Sequence, residues 1–325
     1  MMVLILLSYP LLGEGKKEAP TGVQKSEQFK IEGKAKITIG WSNASISNPW
    51  RIEMVRRVEE EAKKYSNLTL LITHAQDSAA KQLADCDDLL ARGIDLLMLS
   101  PASLDALNPV VDKAARMNIP LVVVQRETSN RNFTSLVWND DVQLGLLAAA
   151  EMVRLLGHAG KIAVIEGIPG ASSTLGRTKG IKKTLELYPN VELLATLPGD
   201  YQEAKARSVM EDILTRHPNI DGIIVHSGTM ARGALAAIRA AGKAGKIIIV
   251  TIGSENHVLK EIARGNMHST VMESVSVGVF GLRQAIAILE NKPFRKFSPT
   301  ESPIVNATNV HAWVKMDAPD DSWVY

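Results

Sequence analysis

The sequence has too little cysteine to build a disulfide: Cys86 stands alone among 325 residues, so no internal bridge can form. It lacks an excess of either charge, with 37 basic and 35 acidic side chains and a formal net charge of +2. That balance gives no positive field for nucleic acid, and no block of like charges forms a tail. The apolar stretch Val3–Gly13 falls far below the ~20 residues that a membrane-spanning helix needs. Catalytic motifs are missing too. There is no GxGxxG, and Gly167 and Gly170 share only a common turn spacing. Gly13-Glu14-Gly15-Lys16-Lys17 lacks the spacing and the preceding strand of a phosphate-binding loop. No GxSxG elbow occurs, and the seven histidines include no HExxH pair. Asp85, Asp87 and Asp88 read as a solvated helix face rather than a metal site, so neither metal nor cofactor is expected. Cys86 lies in the amphipathic run Lys81–Leu90. It reads as a packed or half-packed helix residue whose acidic neighbours raise its thiol pKa.

What is present fits a soluble globular chain, with 46% hydrophobic and 22% charged residues. A chain of 325 residues suits two domains of about 150 residues each. Val3–Gly13 has the length of a signal-peptide apolar core, although no Lys or Arg precedes it. A solvated linker follows to about Lys34. Residues 1–35 therefore read as a signal-like segment and linker, with a disordered arm as the alternative; a lipoprotein signal would carry Cys where Glu14 stands.

From Lys36 the pattern becomes regular. Strand-like runs at Lys36–Trp41, Leu68–Thr73, Asp95–Leu99 and Pro120–Val124 alternate with helical stretches. The first helix opens at Pro49, where helices accept proline, with Ile52, Val55, Val58 and Ala62 as its apolar face. The pattern repeats after Trp138-Asn139-Asp140, with strands at Lys161–Ile165, Asp221–Val225 and Lys246–Val250 and helices between. These strands are continuous apolar runs rather than alternating ones, the mark of a parallel sheet covered on both faces. Two doubly wound α/β units in tandem follow. The last part, from Thr270, holds one long helix and two short extended pieces. It is too small for a third domain and is expected to complete both lobes: residues 36–139 with 274–302, and 140–273 with 303–325.

Open parallel sheets bind ligands beyond the carboxyl ends of their strands. Asn43, Asn48, Trp50 and Arg51 follow the first strand, and Gln125 and Arg126 the fourth. In the second unit Arg177, Tyr201, His226, Ser227, Glu255 and Glu273 hold matching places, with Asn139 at the junction. Rings that stack on apolar faces, with forked Arg donors and amides for oxygen atoms, suit a small polar ligand such as a sugar or polyol.

Several segments resemble the ribose-type periplasmic binding proteins. Ser47-Asn48-Pro49-Trp50 is similar to that family's Asn-Asn-Pro-Phe loop, and Pro120–Arg126 to its Ile-Pro-Val-x-x-x-Asp-Arg. Trp138–Asp141 resembles its Ser-Asp-Asn crossover. Gly170-Ala171-Ser172 with Arg177 and Gly180 resembles its Gly-x-Ser…Arg-x-x-Gly segment, and Met230–Ala234 matches its Met-Ala-x-Gly-Ala helix. The resemblance runs from about Lys36 to Asn309. It implies a type I fold of two lobes joined by three crossover strands, closing on ligand and docking on an ABC permease. It also implies a monomer in the periplasm or at the cell surface, with no nucleic-acid partner. It carries binding roles to Asn48, Trp50, Arg126, Arg177 and Tyr201, and to Asn43 across a loop one residue longer. The chain departs at Gln125 and Gly253, where the family has Asp, at Ser227, where it has Asn, and at Glu273, where it has Gln. Two guanidiniums with fewer acids point toward an acidic sugar derivative, unless Glu273 or Glu255 neutralises one.

Two other readings compete. A sugar-sensing repressor needs a helix-turn-helix of ~50 residues, and only about 35 residues precede Lys36. A ligand sensor feeding a chemoreceptor or sensor kinase shares the same lobes. An α/β enzyme is the least supported, for want of any catalytic motif.

Overall fold

The computed structural model describes residues 29–325; the signal-like segment lies outside the described residues. The first half runs β1 (Ile37–Asn43), α1 (Pro49–Ala62), β2 (Leu68–His74), α2 (Ala79–Ala91), β3 (Leu96–Ser100), α3 (Asn108–Arg116), β4 (Leu121–Gln125) and β5 (Ser135–Trp138). The second runs α4 (Asp141–Leu155), β6 (Gly160–Glu166), α5 (Ser172–Leu185), β7 (Val191–Pro198), α6 (Glu203–Arg216), β8 (Gly222–Val225), α7 (Gly228–Ala240), β9 (Ile248–Ile252), α8 (Asn256–Ala263) and β10 (Ser269–Val271). α9 (Val277–Leu289), β11 (Phe297–Pro299) and β12 (Ile304–Asn306) close the chain.

Two six-stranded sheets result, with orders β2-β1-β3-β4-β5-β11 and β7-β6-β8-β9-β10-β12. Every pairing in the first sheet is parallel. The second departs from the all-parallel expectation at its edge, where β12 runs antiparallel to β10. β11 runs parallel to β5 in the first sheet, and only four residues separate it from β12 in the second, so the chain crosses directly and enters the second sheet against the direction of its other strands. The central strands β3 and β4 are buried at every residue, while the edge strand β2 is half-buried throughout.

The chain passes between the sheets three times: from β5 to α4, from β10 to α9, and from β11 to β12. α9 packs against α1 and against β3, β4 and β5. Gly278 and Gly281 permit this, since a Cβ on Gly278 would lie 2.7 Å from Val58 and one on Gly281 2.7 Å from Val124. Residues 303–325, assigned above to the second lobe, reach both lobes: Val305 and Val310 pack in the second-lobe core, whereas Trp323 packs with Trp41, Trp50 and Val275.

α1 starts where Pro49 stands, with Asn48 accepting the Arg51 N–H as N-cap. Its buried stripe is Trp50, Met54, Val58 and Ala62 at four-residue spacing, and Ile52 is 53% exposed rather than packed. Cys86 is fully buried, not half-packed; burial, more than the neighbouring acids, pushes its thiol up to about 12. Among the described residues, no helix is long and apolar enough to cross a membrane.

Candidate ligand-binding cleft

Both sheets carry their switch points, β1/β3 and β6/β8, at the ends that face each other. A cavity lies between them. The first lobe lines it with Asn48, Trp50, Arg51, Gln125 and Arg126, and the second with Ser173, Arg177, Tyr201, Ser227, Thr229, Glu255 and Glu273. All of these except Asn48 are buried, so the lobes are closed upon one another. A hydrogen bond from the Glu127 N–H to Ser172 Oγ, 2.8 Å, joins them directly.

On the first side, the end of β1 and the start of α1 meet. Arg51 donates to Asn43 Oδ1 at 2.7 Å, to Gln125 Oε1 at 2.7 Å and to Ser100 Oγ at 3.3 Å. Asn43 is therefore a support: it lies beneath Arg51, bonded to it, and does not line the cavity. Gln125 holds a left-handed backbone, φ 69°, a conformation that costs a non-glycine residue energy and clusters at functional sites. Arg126 donates to the carbonyls of Pro101 and Ala102, both at 3.4 Å, and lies 3.8 Å from Asp77.

On the second side, Tyr201 and the preceding Asp200 are also left-handed, with φ 58° and 54°. This turn lays the Tyr201 ring over Gly167, where a Cβ would come within 2.0 Å of it. Its hydroxyl lies 3.0 Å from Ser173 Oγ and 3.3 Å from Thr174 Oγ1. Ser227 caps α7, accepting the Met230 N–H at 3.2 Å. Arg177 donates to Asp141 Oδ1 at 2.8 Å, to Glu273 and to the His226 carbonyl.

His226 stays out of the cavity, and so does Asn139. It sits at the first crossover and bonds the second: its side chain donates to the Ser274 carbonyl at 3.2 Å and accepts the Ser274 N–H at 3.0 Å. Thr300, at the third crossover, also donates to it. Its amide thus ties the three crossovers together rather than facing the cavity.

A family model described as "Periplasmic binding protein domain" matches residues 39–293. The chain belongs to this family. The ribose import binding protein of Bacillus subtilis is 30% identical over 295 residues, covering 90% of this chain and 94% of that protein. The D-allose-binding periplasmic protein of Escherichia coli is 28% identical, over 74% of this chain and 80% of the relative. Among solved structures, the arabinose-transporter binding protein of Shewanella sp. ANA-3, bound to L-arabinofuranose, superposes with a TM-score of 0.79 and 27% identity, covering 85% of this chain and 93% of the other. A solute-binding protein of Bacillus halodurans with bound myo-inositol gives 0.81 at 23% identity, over 86% and 98%, and shares the fold. These are binding proteins, as expected here in place of an enzyme.

The electrostatics of this periplasmic binding protein correct one expectation. The argument for an acidic ligand took Arg177 as short of acids, yet it faces two. Asp141 was not among the expected site residues, because it belongs to the far helix α4. Three glycines bring that helix close: a Cβ on Gly145 would lie 2.1 Å from the Arg177 carbonyl, one on Gly180 2.2 Å from the Val142 carbonyl, and one on Gly176 2.7 Å from Asp141. Burial opposes the charge of Arg177, but Glu273 and then Asp141 outweigh it and the net shift is upward. Burial pushes Asp141 up to about 7 and raises Glu273 as well. Arg51, by contrast, is lowered to about 9, first by burial and then by Arg126. Burial also pushes Glu255 up to about 7. Arg51, Arg126 and Arg177 line the cleft with Glu255 and Glu273, while Asp77 lies beside Arg126 and Asp141 against Arg177. Ser173, Thr229 and Glu255 complete the lining; Glu255 follows a strand end and was noted there and as a candidate neutraliser of an arginine, whereas the two hydroxyls follow turns that carry no distinctive spacing.

Proposed function

We propose that this protein captures a neutral sugar or polyol between its lobes, outside the cytoplasm, and hands it to an ABC importer. The observation that carries the reading is a single closed cavity lined from both lobes by buried polar side chains at strand ends. A hydroxyl both donates and accepts, so it suits a wall that mixes guanidinium N–H groups, amides, hydroxyls and carboxylates. Trp50 supplies an apolar face for the C–H side of a sugar ring. Arg177 is already paired with Asp141 and Glu273, so it does not call for an anionic ligand group. The family relatives named for ribose and D-allose support the same ligand class.

The roles are divided by lobe. Trp50, Arg51, Gln125 and Arg126 form one jaw; Arg177, Tyr201, Ser227 and Glu273 form the other, with Asn48 at the rim. Only the closed form brings both sets to one ligand, so ligand favours closure. Mass spectrometry of small molecules released on denaturing the purified protein, followed by titration calorimetry, tests the reading. A neutral pentose, hexose or cyclitol should be recovered and should rebind. Recovery and rebinding of acidic sugars alone would refute it.

A further inference from the structure

The second lobe places one carboxylate oxygen at the cleft with no protein group to bond it. Glu255 follows β9 at the start of α8, is buried and lines the cavity. Its Oε1 accepts the Thr229 backbone N–H at 3.0 Å and lies 3.4 Å from Thr229 Oγ1. Its Oε2 is buried and has no hydrogen-bond partner among the described residues. Leaving a buried acceptor unpaired costs free energy, more so when it carries charge.

The fold reserves room for this carboxylate. A Cβ on Gly253, just past β9, would lie 2.2 Å from Oε2. One on Gly228, the first residue of α7, would lie 2.2 Å from the same oxygen and 2.5 Å from the carboxyl carbon. Neither position can carry a side chain while the carboxylate stays in place. Across the cleft the first lobe offers the opposite chemistry: Trp50 Nε1 and Arg126 Nε are buried donors without partners among the described residues. Free donors thus stand in one jaw and a free acceptor in the other. A ligand group that only accepts can satisfy the first jaw and not the second, whereas hydroxyls satisfy both.

We propose that Glu255 is a specificity-determining acceptor of this cleft, taking a hydrogen bond from a ligand hydroxyl through Oε2, with Gly228 and Gly253 forming the seat of its carboxylate. This deepens the sugar-binding reading above and rests on it. Glu255→Gln keeps an oxygen for Thr229 and replaces the free acceptor with an NH2 donor. Gly228→Ala keeps Glu255 and suits a helix, but displaces the carboxylate.

The test is titration calorimetry of the full chain and both variants against neutral pentoses, hexoses and cyclitols, with monodeoxy derivatives of the tightest binder. Each variant should lose about 10- to 100-fold in affinity for the parent sugar. One monodeoxy derivative should bind the wild-type chain and both variants within about threefold, because the partner hydroxyl is then gone from both sides of the cycle. If Glu255→Gln does not fold, Gly228→Ala decides alone. Undiminished affinity with a lowered ligand-free Tm would make Glu255 a mere cap of α7 and overturn the inference, leaving the sugar cleft intact. A wild-type chain that binds none of these sugars would overturn the reading beneath it.

Discussion

Arg177 illustrates what a buried guanidinium requires before it can serve a ligand. Two carboxylates and a backbone carbonyl hold it, and its removal strands both acids in the interior. Breaking such a cluster costs about 3–5 kcal/mol. The cost depends on pH. Asp141 is pushed above its ordinary value of 3.8 to about 7, so the fold binds a proton that the unfolded chain has released across that interval. Its ionisation therefore costs stability as pH rises toward 7, and Arg177 offsets that cost. Arg177→Met should lower Tm more at pH 8 than at pH 5.5; thermal melts at the two values check this, and equal losses would remove Asp141 from the account. Trp50→Ala should weaken sugar binding by at least about fivefold, the equivalent of ~1 kcal/mol of lost stacking, as calorimetry would read directly. Arg177 and Trp50 were legible in the sequence because both follow strand ends. Asp141 was not, because nothing local in a helix start after a crossover says which side chain of another helix it will meet.

At the scale of elements, the continuous apolar runs disclosed the sheets, and Pro49 with Asn48 disclosed the start of α1. β5 was missed: four residues, Ser135–Trp138, give no period to read. Ile52 was misplaced because an amphipathic count admits more than one stripe in a helix whose true seam is set by Trp50 and Met54. The α4–α5 contact was equally hidden, since glycine inside a helix is ordinarily a weakness of about 1 kcal/mol. Here it allows backbone contact, and that contact sets Arg177 beside Asp141. Gly180→Ala should therefore destabilise despite the better helix former, by about 1–3 kcal/mol of overpacking. It should also weaken sugar binding by moving Arg177. A rise in Tm in a thermal melt would show that the two helices can part without consequence.

At the scale of the molecule, closure rests on the ligand, on the crossovers and on the bond between the Glu127 N–H and Ser172 Oγ. Ser172→Ala removes a contact made only in the closed form, worth about 0.5–1.5 kcal/mol. Affinity should fall about two- to tenfold, with the ligand-free radius of gyration from solution scattering shifted toward the open form. Unchanged values in both measurements would make the bond incidental to closure. The two tandem α/β units were visible in the sequence, and the resemblance implied the three crossovers. The reach of Trp323 into the first-lobe core was invisible, since a lone Trp near a chain end has no period to place it. The return of α9 to β3, β4 and β5 also bears on how the molecule comes into being. Until that helix emerges from the ribosome, Met98, Val122 and Val124 lack its share of their cover. The cover of the first lobe is therefore completed only after the strands and helices of the second lobe have been made.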